Sequence, residues 1–328
     1  MYTIQDIAKL SGVSKSTVSR VLNNHPYVSE EKRKKVQKAI QELNYFPNGI
    51  AKQFRAKKTN SIGIITPQID HPYYSFLIKH LSTKCYQKGY KPVILQTFTD
   101  KELEIAAFLQ LKHKELDGII LTSSLHSQEE LSYYAESGSI AVCNESFDHS
   151  HFDVFCINEE EVTFQSTTYL LEKGLSRLGF CSDNISTPSQ QARLSGFKKA
   201  HIAKKIDYKN EYFFNNVATI NDGINLGNFL YKEKLRLDGV FAGSDFVAAG
   251  IIKSAIINGV SIPKDFSVIG FDNHPISTIT TPSLTTISNC IDEMTTDLVN
   301  CLIRRIEGNT LNFKKTIYKG SFIVREST

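Results

Sequence analysis

Thr3-Ile4-Gln5-Asp6-Ile7-Ala8-Lys9-Leu10-Ser11-Gly12-Val13-Ser14-Lys15-Ser16-Thr17-Val18-Ser19-Arg20-Val21-Leu22-Asn23 reads as two short helices with a sharp break between them. Thr3 suits a helix N-cap, and Asp6 three residues on supplies a weak version of a capping box. Ile4, Ile7 and Ala8 follow at helical spacing. Ser11-Gly12-Val13 interrupts that pattern, and Ser14 is placed to cap a second helix running to about Leu22. At 100° per residue Thr17, Val18 and Val21 gather on one side, where they can pack on the first helix, while Lys15, Ser16, Ser19 and Arg20 face the other way. Two helices joined by a tight turn containing Gly form the helix-turn-helix pattern. The outer face holds a cation, two small hydroxyls and an arginine, a donor set suited to guanine edges in a major groove. An amphipathic helix facing solvent would show the same spacing, so the face alone leaves both readings open.

Moving outward, Ser29 is placed to cap a third helix, with Glu30 and Glu31 in its first turn and Val36, Ile40 and Leu43 as its inward stripe. Pro47 ends the connection that follows. A fourth segment, about Asn48 to Arg55, is too short to be a stable helix alone in water. Residues 1–61 carry 12 Lys/Arg and 4 Asp/Glu, a balance of +8; the other 267 carry 26 and 30, a balance of −4. A basic head on a slightly acidic body points to a polyanionic partner for the head. The run Lys32-Arg33-Lys34-Lys35 would equally serve as a solvated helix face.

Beyond residue 61 short apolar runs alternate with helical patterning. Ile62–Ile65, Pro92–Leu95, Gly118–Leu121 and Ile140–Cys143 form one series; Leu178–Cys181, Gly239–Ala242 and Val268–Phe271 form a second. Strand–helix alternation argues for parallel sheets flanked by helices, and two series argue for two similar lobes. The length of 328 residues and the 41% hydrophobic and 22% charged content fit a globular chain of two or three folding units, not a disordered or fibrous one. No apolar run is long enough to span a membrane, and the N-terminus lacks the pattern of a secretory signal. Six cysteines without CxxC spacing make a reducing cytosol the expected location and a metal cage or disulfide framework unexpected. GxGxxG, GxxxxGK[ST], GxSxG and HExxH are absent, and the nine His show no repeated ligand spacing. No metal, cofactor or catalytic residue is expected.

In open parallel sheets ligands sit beyond the carboxyl ends of the strands. Asp70-His71-Pro72-Tyr73-Tyr74 follows the first strand, and a carboxylate with paired aromatics suits a sugar: acceptors for hydroxyls, rings for C–H faces. The alternative is that Tyr73 and Tyr74 start a helix and pack internally. Asn144, Ser244-Asp245 and Phe271-Asp272-Asn273 also lie at strand ends.

Thr3–Asn23, together with Val28-Ser29 and Glu42-Leu43-Asn44-Tyr45-Phe46-Pro47-Asn48, resemble the head of the lactose/galactose repressor family of bacterial transcription regulators. The likeness is dense over about 60 residues and continues more loosely to the C-terminus. It implies an all-α helix-turn-helix domain (1–47), a hinge helix and linker (48–60), and a two-lobed periplasmic-binding-protein-like α/β body with parallel sheets (61–328). The lobes would take about 61–157 with 288–317, and 158–287 with 318–328, the final strand near Tyr318–Val324 joining the second. In that family Lys15, Ser16 and Arg20 would read base edges. Ile4, Ser19, Asn23, Tyr27, Val28 and Lys32 would touch the backbone or brace the helix. Asn48, Ala51 and Phe54 of the hinge would enter the minor groove, with Phe54 where members usually place Leu. Ala192–Phe197 matches the family's RxxGF element, so Arg193 would contact the effector, as would Asp272; an Arg–Asp pair across the cleft would offer donors and an acceptor to vicinal hydroxyls.

Several departures bear on the effector. Asn144-Glu145 stands where many members have Asp-Arg. The loop Ser182–Ala192 has no basic residue, unlike the purine-responsive branch. Trp is absent, leaving Phe147, Phe214 and Phe246 as candidate stacking platforms beside the tyrosines. The resemblance implies a repressor of a carbohydrate-use operon, bound as a homodimer to a pseudo-palindromic operator and controlled by a sugar or phosphosugar. No leucine-heptad tail follows the last expected strand, so a dimer is expected rather than a tetramer. A carbon-catabolite-type regulator with a phosphoprotein coeffector, or an α/β enzyme fused to a DNA-binding head, are the alternatives.

Overall fold

A computed structural model describes residues 2–45, 58–148, 151–233, 235–309 and 312–328. The expected hinge helix, with Asn48, Ala51 and Phe54, lies outside the described residues. Contacts divide the chain into Met1–Thr59 and Asn60–Thr328.

In the head, α1 (Ile4–Ser11), α2 (Lys15–Leu22) and α3 (Glu30–Glu42) follow one another. The capping box of α1 is complete: Asp6 N donates to Thr3 Oγ1 at 3.4 Å and Thr3 N to Asp6 Oδ2 at 2.8 Å. Gly12 ends α1 at φ 66°, the left-handed geometry a Gly cap supplies. Ser14 caps α2 by accepting from Thr17 N at 3.2 Å. Ser29 does not cap α3 as expected, since its hydroxyl accepts no amide there. The positive end of that helix is left to the acidic pair Glu30 and Glu31. Ile7, Val18, Val21, Val36 and Ala39 form a small core, surrounded by Ile4, Ala8, Val13, Val28, Ile40 and Leu43.

The body begins with β1 (Ser61–Thr66), α4 (Pro72–Gln87), β2 (Lys91–Gln96), α5 (Lys101–Lys112), β3 (Gly118–Leu121), α6 (Gln128–Ala135), β4 (Ser139–Cys143) and β5 (Asp153–Ile157). It continues with α7 (Glu159–Glu172), β6 (Leu178–Cys181), α8 (Pro188–Lys204), β7 (Phe213–Phe214), α9 (Ile220–Lys232), β8 (Gly239–Phe241), α10 (Asp245–Ile257), β9 (Ser267–Ile269) and the short α11 (Ile276–Ile279). Then come β10 (Thr286–Ser288), α12 (Ile291–Ile306), β11 (Lys315–Tyr318) and β12 (Ser321–Ile323). One sheet has the order β11-β5-β4-β3-β1-β2, the other β7-β6-β8-β9; every pairing in both is parallel. The strands at the centre are buried on both faces, as parallel sheets require.

The chain passes from the first sheet to the second after β5, returns after β10, and leaves again after β11. An antiparallel pair, β10 with β12, joins the lobes at the last two crossings. The last strand is therefore split differently from the expectation: Tyr318 pairs with Ile157 in the first sheet, and β12 starts at Ser321. Tyr318 is held there by its hydroxyl, which donates to Asp297 Oδ2 at 2.8 Å. The fully buried Asp153 anchors the returning chain, accepting from Arg305 Nη2 and from Lys314 N, both at 3.0 Å.

Two helix pairs cover the second sheet at backbone contact. A Cβ on Gly196 of α8 would lie 2.2 Å from the Glu160 carbonyl oxygen of α7, and one on Gly250 of α10 would lie 2.2 Å from that of Ile220 in α9. The glycine of the RxxGF stretch thus sets how closely α8, and Arg193 upon it, approaches α7. Among the described residues no helix is long and apolar enough to cross a membrane, and no cluster of three or more His, Cys, Asp or Glu could hold a metal ion.

Candidate functional site

The carboxyl ends of the strands from both lobes converge on a partly enclosed cleft lined by polar and aromatic side chains. From the first lobe come His71, Tyr73 and Tyr74, Ser123, Asn144 and Glu145. From the second come Asp183, Thr187, Ser189, Gln190, Arg193, Gly243 and Asp272. Pro72 opens α4, so Tyr73 and Tyr74 lie in its first turn and also face the cleft. Asn144 and Asp272 follow their strands at φ 79° and 102°. Such left-handed backbone in non-glycine residues is strained and persists where the surroundings hold it. Here Asn144 N donates to Phe155 O at 2.8 Å and Asp272 N to Ile287 O at 2.9 Å.

Arg193 is buried. Its Nη1 donates to the Gly243 carbonyl at 2.9 Å, its Nη2 to Glu159 Oε1 at 3.1 Å, and its guanidinium lies over the Phe271 ring. Burial works against its charge, but Glu159 and Asp272 more than offset that and hold its pKa above the usual value. Glu159 also accepts from Ser189 Oγ at 2.5 Å. Asp272 Oδ1 accepts from Asn289 Nδ2 at 3.1 Å, and burial pushes its carboxyl up to about 7 against the pull of Arg193. Glu145 is likewise pushed up to about 7 by burial, although Ser123 Oγ at 2.7 Å and Ser124 N at 3.2 Å donate to it. The Tyr73 hydroxyl donates to Asn144 Oδ1 at 2.7 Å. Burial lowers the pKa of His71. Nδ1 of His71, Oε1 of Gln190 and Nε of Arg193 are buried without a hydrogen-bond partner.

Tyr73, Tyr74, Asn144, Arg193 and Asp272 are thus brought together. Asp70 is exposed and does not line the cleft. Asp245 lies behind it, fully buried, accepting from Thr286 Oγ1 and, at 2.7 Å, from His274 N; its place in the first turn of α10 turns it inward toward β10. Arg193 and Asp272 do not reach across the cleft to each other: both belong to the second lobe, and the ion-pair partner of Arg193 is Glu159. Phe147 packs on Phe152, Phe246 on His274, and Phe214 in the second lobe's core, so the tyrosines are the cleft's aromatic faces. The sequence reading missed Glu145, Asp183, Gln190 and His71 as lining residues. Glu145 was visible as a departure from a family pattern, and its charge was the signal.

On the head, Lys15, Ser16 and Arg20 are exposed along α2, and Ser19 is half-buried. Ser16 Oγ is 2.8 Å from Ser14 Oγ, and Asn23 Nδ2 donates to Ser19 O at 2.9 Å. Tyr27 and Lys32 are exposed, whereas Ile4 and Val28 pack against the head core.

Comparison with known proteins follows the same division. Residues 3–48 match the family described as bacterial regulatory proteins, lacI family, and residues 167–328 match the periplasmic binding protein-like domain. The NTD biosynthesis operon regulator NtdR of Bacillus subtilis is 41% identical over 100% of both chains. The ribose operon repressor of Escherichia coli is 30% identical over 95% of both. The crystal structure of the Lac repressor dimer bound to operator and an anti-inducer shares the fold, with a TM-score of 0.84 at 23% identity over 99% of this chain and 98% of that one.

Proposed function

The chain belongs to the lacI family of bacterial regulatory proteins, DNA-binding transcription regulators rather than enzymes, and from that premise we propose how it works: as a cytoplasmic homodimeric repressor whose operator affinity is set by a small polyhydroxylated effector in the interlobe cleft. The head (1–47) uses Lys15, Ser16 and Arg20 on base edges, with Ile4, Ser19, Asn23, Tyr27, Val28 and Lys32 positioning it. One head offers few contacts; two heads on a palindrome, about one helical turn apart centre to centre, double them. Asn48, Ala51 and Phe54 of the hinge (48–60) insert at the central minor groove. The body (61–328) dimerises and holds the effector, through Tyr73, Tyr74, Asn144, Arg193 and Asp272.

The observation that supports this most is the cleft itself. Polar groups from the strand ends of both lobes meet around two tyrosine faces, 5.5 Å apart between ring centroids. A ligand contacting both walls favours one lobe arrangement, and so changes affinity at a site coupled to it. A relative named for a sugar operon, the ribose operon repressor, supports the carbohydrate reading.

The test is operator selection from random duplexes with the full chain, followed by fluorescence anisotropy on the selected site with and without each member of a sugar panel. A palindromic consensus, and a panel member that shifts operator affinity by about 5–150-fold, are expected. Equal affinity for selected and random DNA would refute the operator reading.

A further inference from the structure

The cleft is rich in negative charge and in hydrogen-bond acceptors. Glu145, Asp183 and Asp272 line it; among the described residues, Arg193 is the one Lys or Arg that does. That guanidinium is already paired with a fourth carboxylate, Glu159, at 3.1 Å. Glu145 is held by a hydroxyl and a backbone amide, and Asp272 by the Asn289 amide. These donors are neutral, so they satisfy lone pairs without balancing charge. Burial raises both carboxyls: at Glu145 neutral donors oppose it, and at Asp272 the pull of Arg193 offsets it only in part.

A second observation, independent of charge, points the same way. Gln190 is more than nine-tenths buried, lines the cleft, and leaves its carbonyl oxygen Oε1 without a hydrogen-bond partner. A buried acceptor left unpaired is unfavourable, so the missing partner is a donor. An ammonium supplies three donors, no acceptor and a positive charge. Arg193 Nε, a buried donor also without a partner, calls for an acceptor, which a ligand hydroxyl supplies; a phosphate would add negative charge beside the carboxylates.

We infer that the effector is an amino sugar or a similar polyhydroxylated amine, whose ammonium lodges among Glu145, Asp183, Asp272 and the Gln190 carbonyl while its C–H faces meet Tyr73 and Tyr74. This rests on the reading of the cleft as the effector site and assigns the ligand's charge class.

The experiment is isothermal titration of the full chain with 2-amino-, 3-amino- and 6-amino-deoxyglucose, against glucose, N-acetylglucosamine and glucose 6-phosphate. At least one amine should bind at least tenfold more tightly than glucose, and N-acetylation should abolish that gain. Glu145→Gln should reduce the gain at least tenfold. Asp183→Asn, on a half-exposed loop where folding is not at stake, should reduce it too. Tighter binding of glucose or glucose 6-phosphate than of every amine overturns the inference and leaves the cleft reading standing. Binding of no member of the panel overturns both. An amine gain untouched by either variant places the ammonium elsewhere and overturns the assignment.

Discussion

The guanidinium of Arg193, the one Lys or Arg lining the cleft among the described residues, lies 3.5 Å from the ring centroid of Phe271 and so rests on an aromatic face, with Glu159 and the Gly243 carbonyl fixing its edges. Arginine is suited to this because its flat, permanently charged group stacks and donates in a fork at once; lysine does neither. Arg193→Ala should therefore lose effector response and also destabilise the body by about 3–5 kcal/mol, because Glu159 is left buried and unpaired. Urea denaturation of Arg193→Ala, with and without Glu159→Gln, measures this. Adding Glu159→Gln should recover part of the loss; no recovery would place the destabilisation in lost packing instead.

Arg20 and Lys34 are expected to separate specific from non-specific DNA binding. Arg20→Ala should lower affinity for the selected operator by about 1–3 kcal/mol, and by much less for random duplex. Lys34→Ala should weaken both alike and flatten the salt dependence by up to about one unit. Anisotropy titrations at several salt concentrations distinguish the two. Equal loss on both DNAs for Arg20→Ala would make it a phosphate contact.

Gly196 and Gly12 are glycines for different reasons, and alanine should reveal that. At Gly196 the new methyl would meet the Glu160 carbonyl at 2.2 Å, forcing α7 and α8 apart. A loss of about 1–3 kcal/mol or more is expected from such overpacking, together with weaker effector binding as Arg193 moves. At Gly12 nothing lies near the new methyl, but φ is +66°, so a purely local cost of about 1–2 kcal/mol is expected. Melting curves and effector titrations should show Gly12→Ala sparing the cleft.

Stability in the absence of ligand should depend on pH through Glu145. Its carboxyl titrates near 4.5 in the unfolded chain and is raised to about 7 in the fold, with burial as the main cause. Between those values the folded state binds more protons, so this group's contribution to stability falls as pH rises through that window and is flat above it. Glu145→Gln should accordingly melt at a temperature less dependent on pH between about 4.5 and 7 than the parent chain. Parallel melting curves across that window would show that the carboxyl is not raised.

The fold was legible because its signals are local. The Thr3 and Ser14 caps, the Gly12 break and the alternating apolar runs each act within a few residues. The strand-end rule found Tyr73, Asn144 and Asp272 for the same reason, since a residue's place after a strand is fixed by its neighbours in sequence. What stayed hidden depends on side chains turning toward partners far along the chain. Asp245 sits at a strand end like Asp272, yet Thr286 and the His274 amide draw it inward. Arg193 could not be matched with Glu159 from spacing, because the pairing follows from the close crossing of two helices. Ser29 looked like a cap, but its hydroxyl makes no such bond.

The order in which the strands enter the first sheet has a consequence for how the chain is made. Its five earliest strands are synthesised before the second lobe, but its edge strand β11 and its covering helix α12 come after. Leu298, Val299 and Leu302 of α12 are fully buried in the same core as Ile62 and Ile64. On the ribosome, the lobe begun first is therefore completed last, with part of its apolar face uncovered while the second lobe, nearly contiguous from Asn158 to Ser288, emerges and folds. A nascent chain halted before α12 would carry a DNA-reading head on a body whose first lobe cannot close. Premature termination late in the gene should thus yield aggregation-prone fragments and not a repressor deaf to its effector.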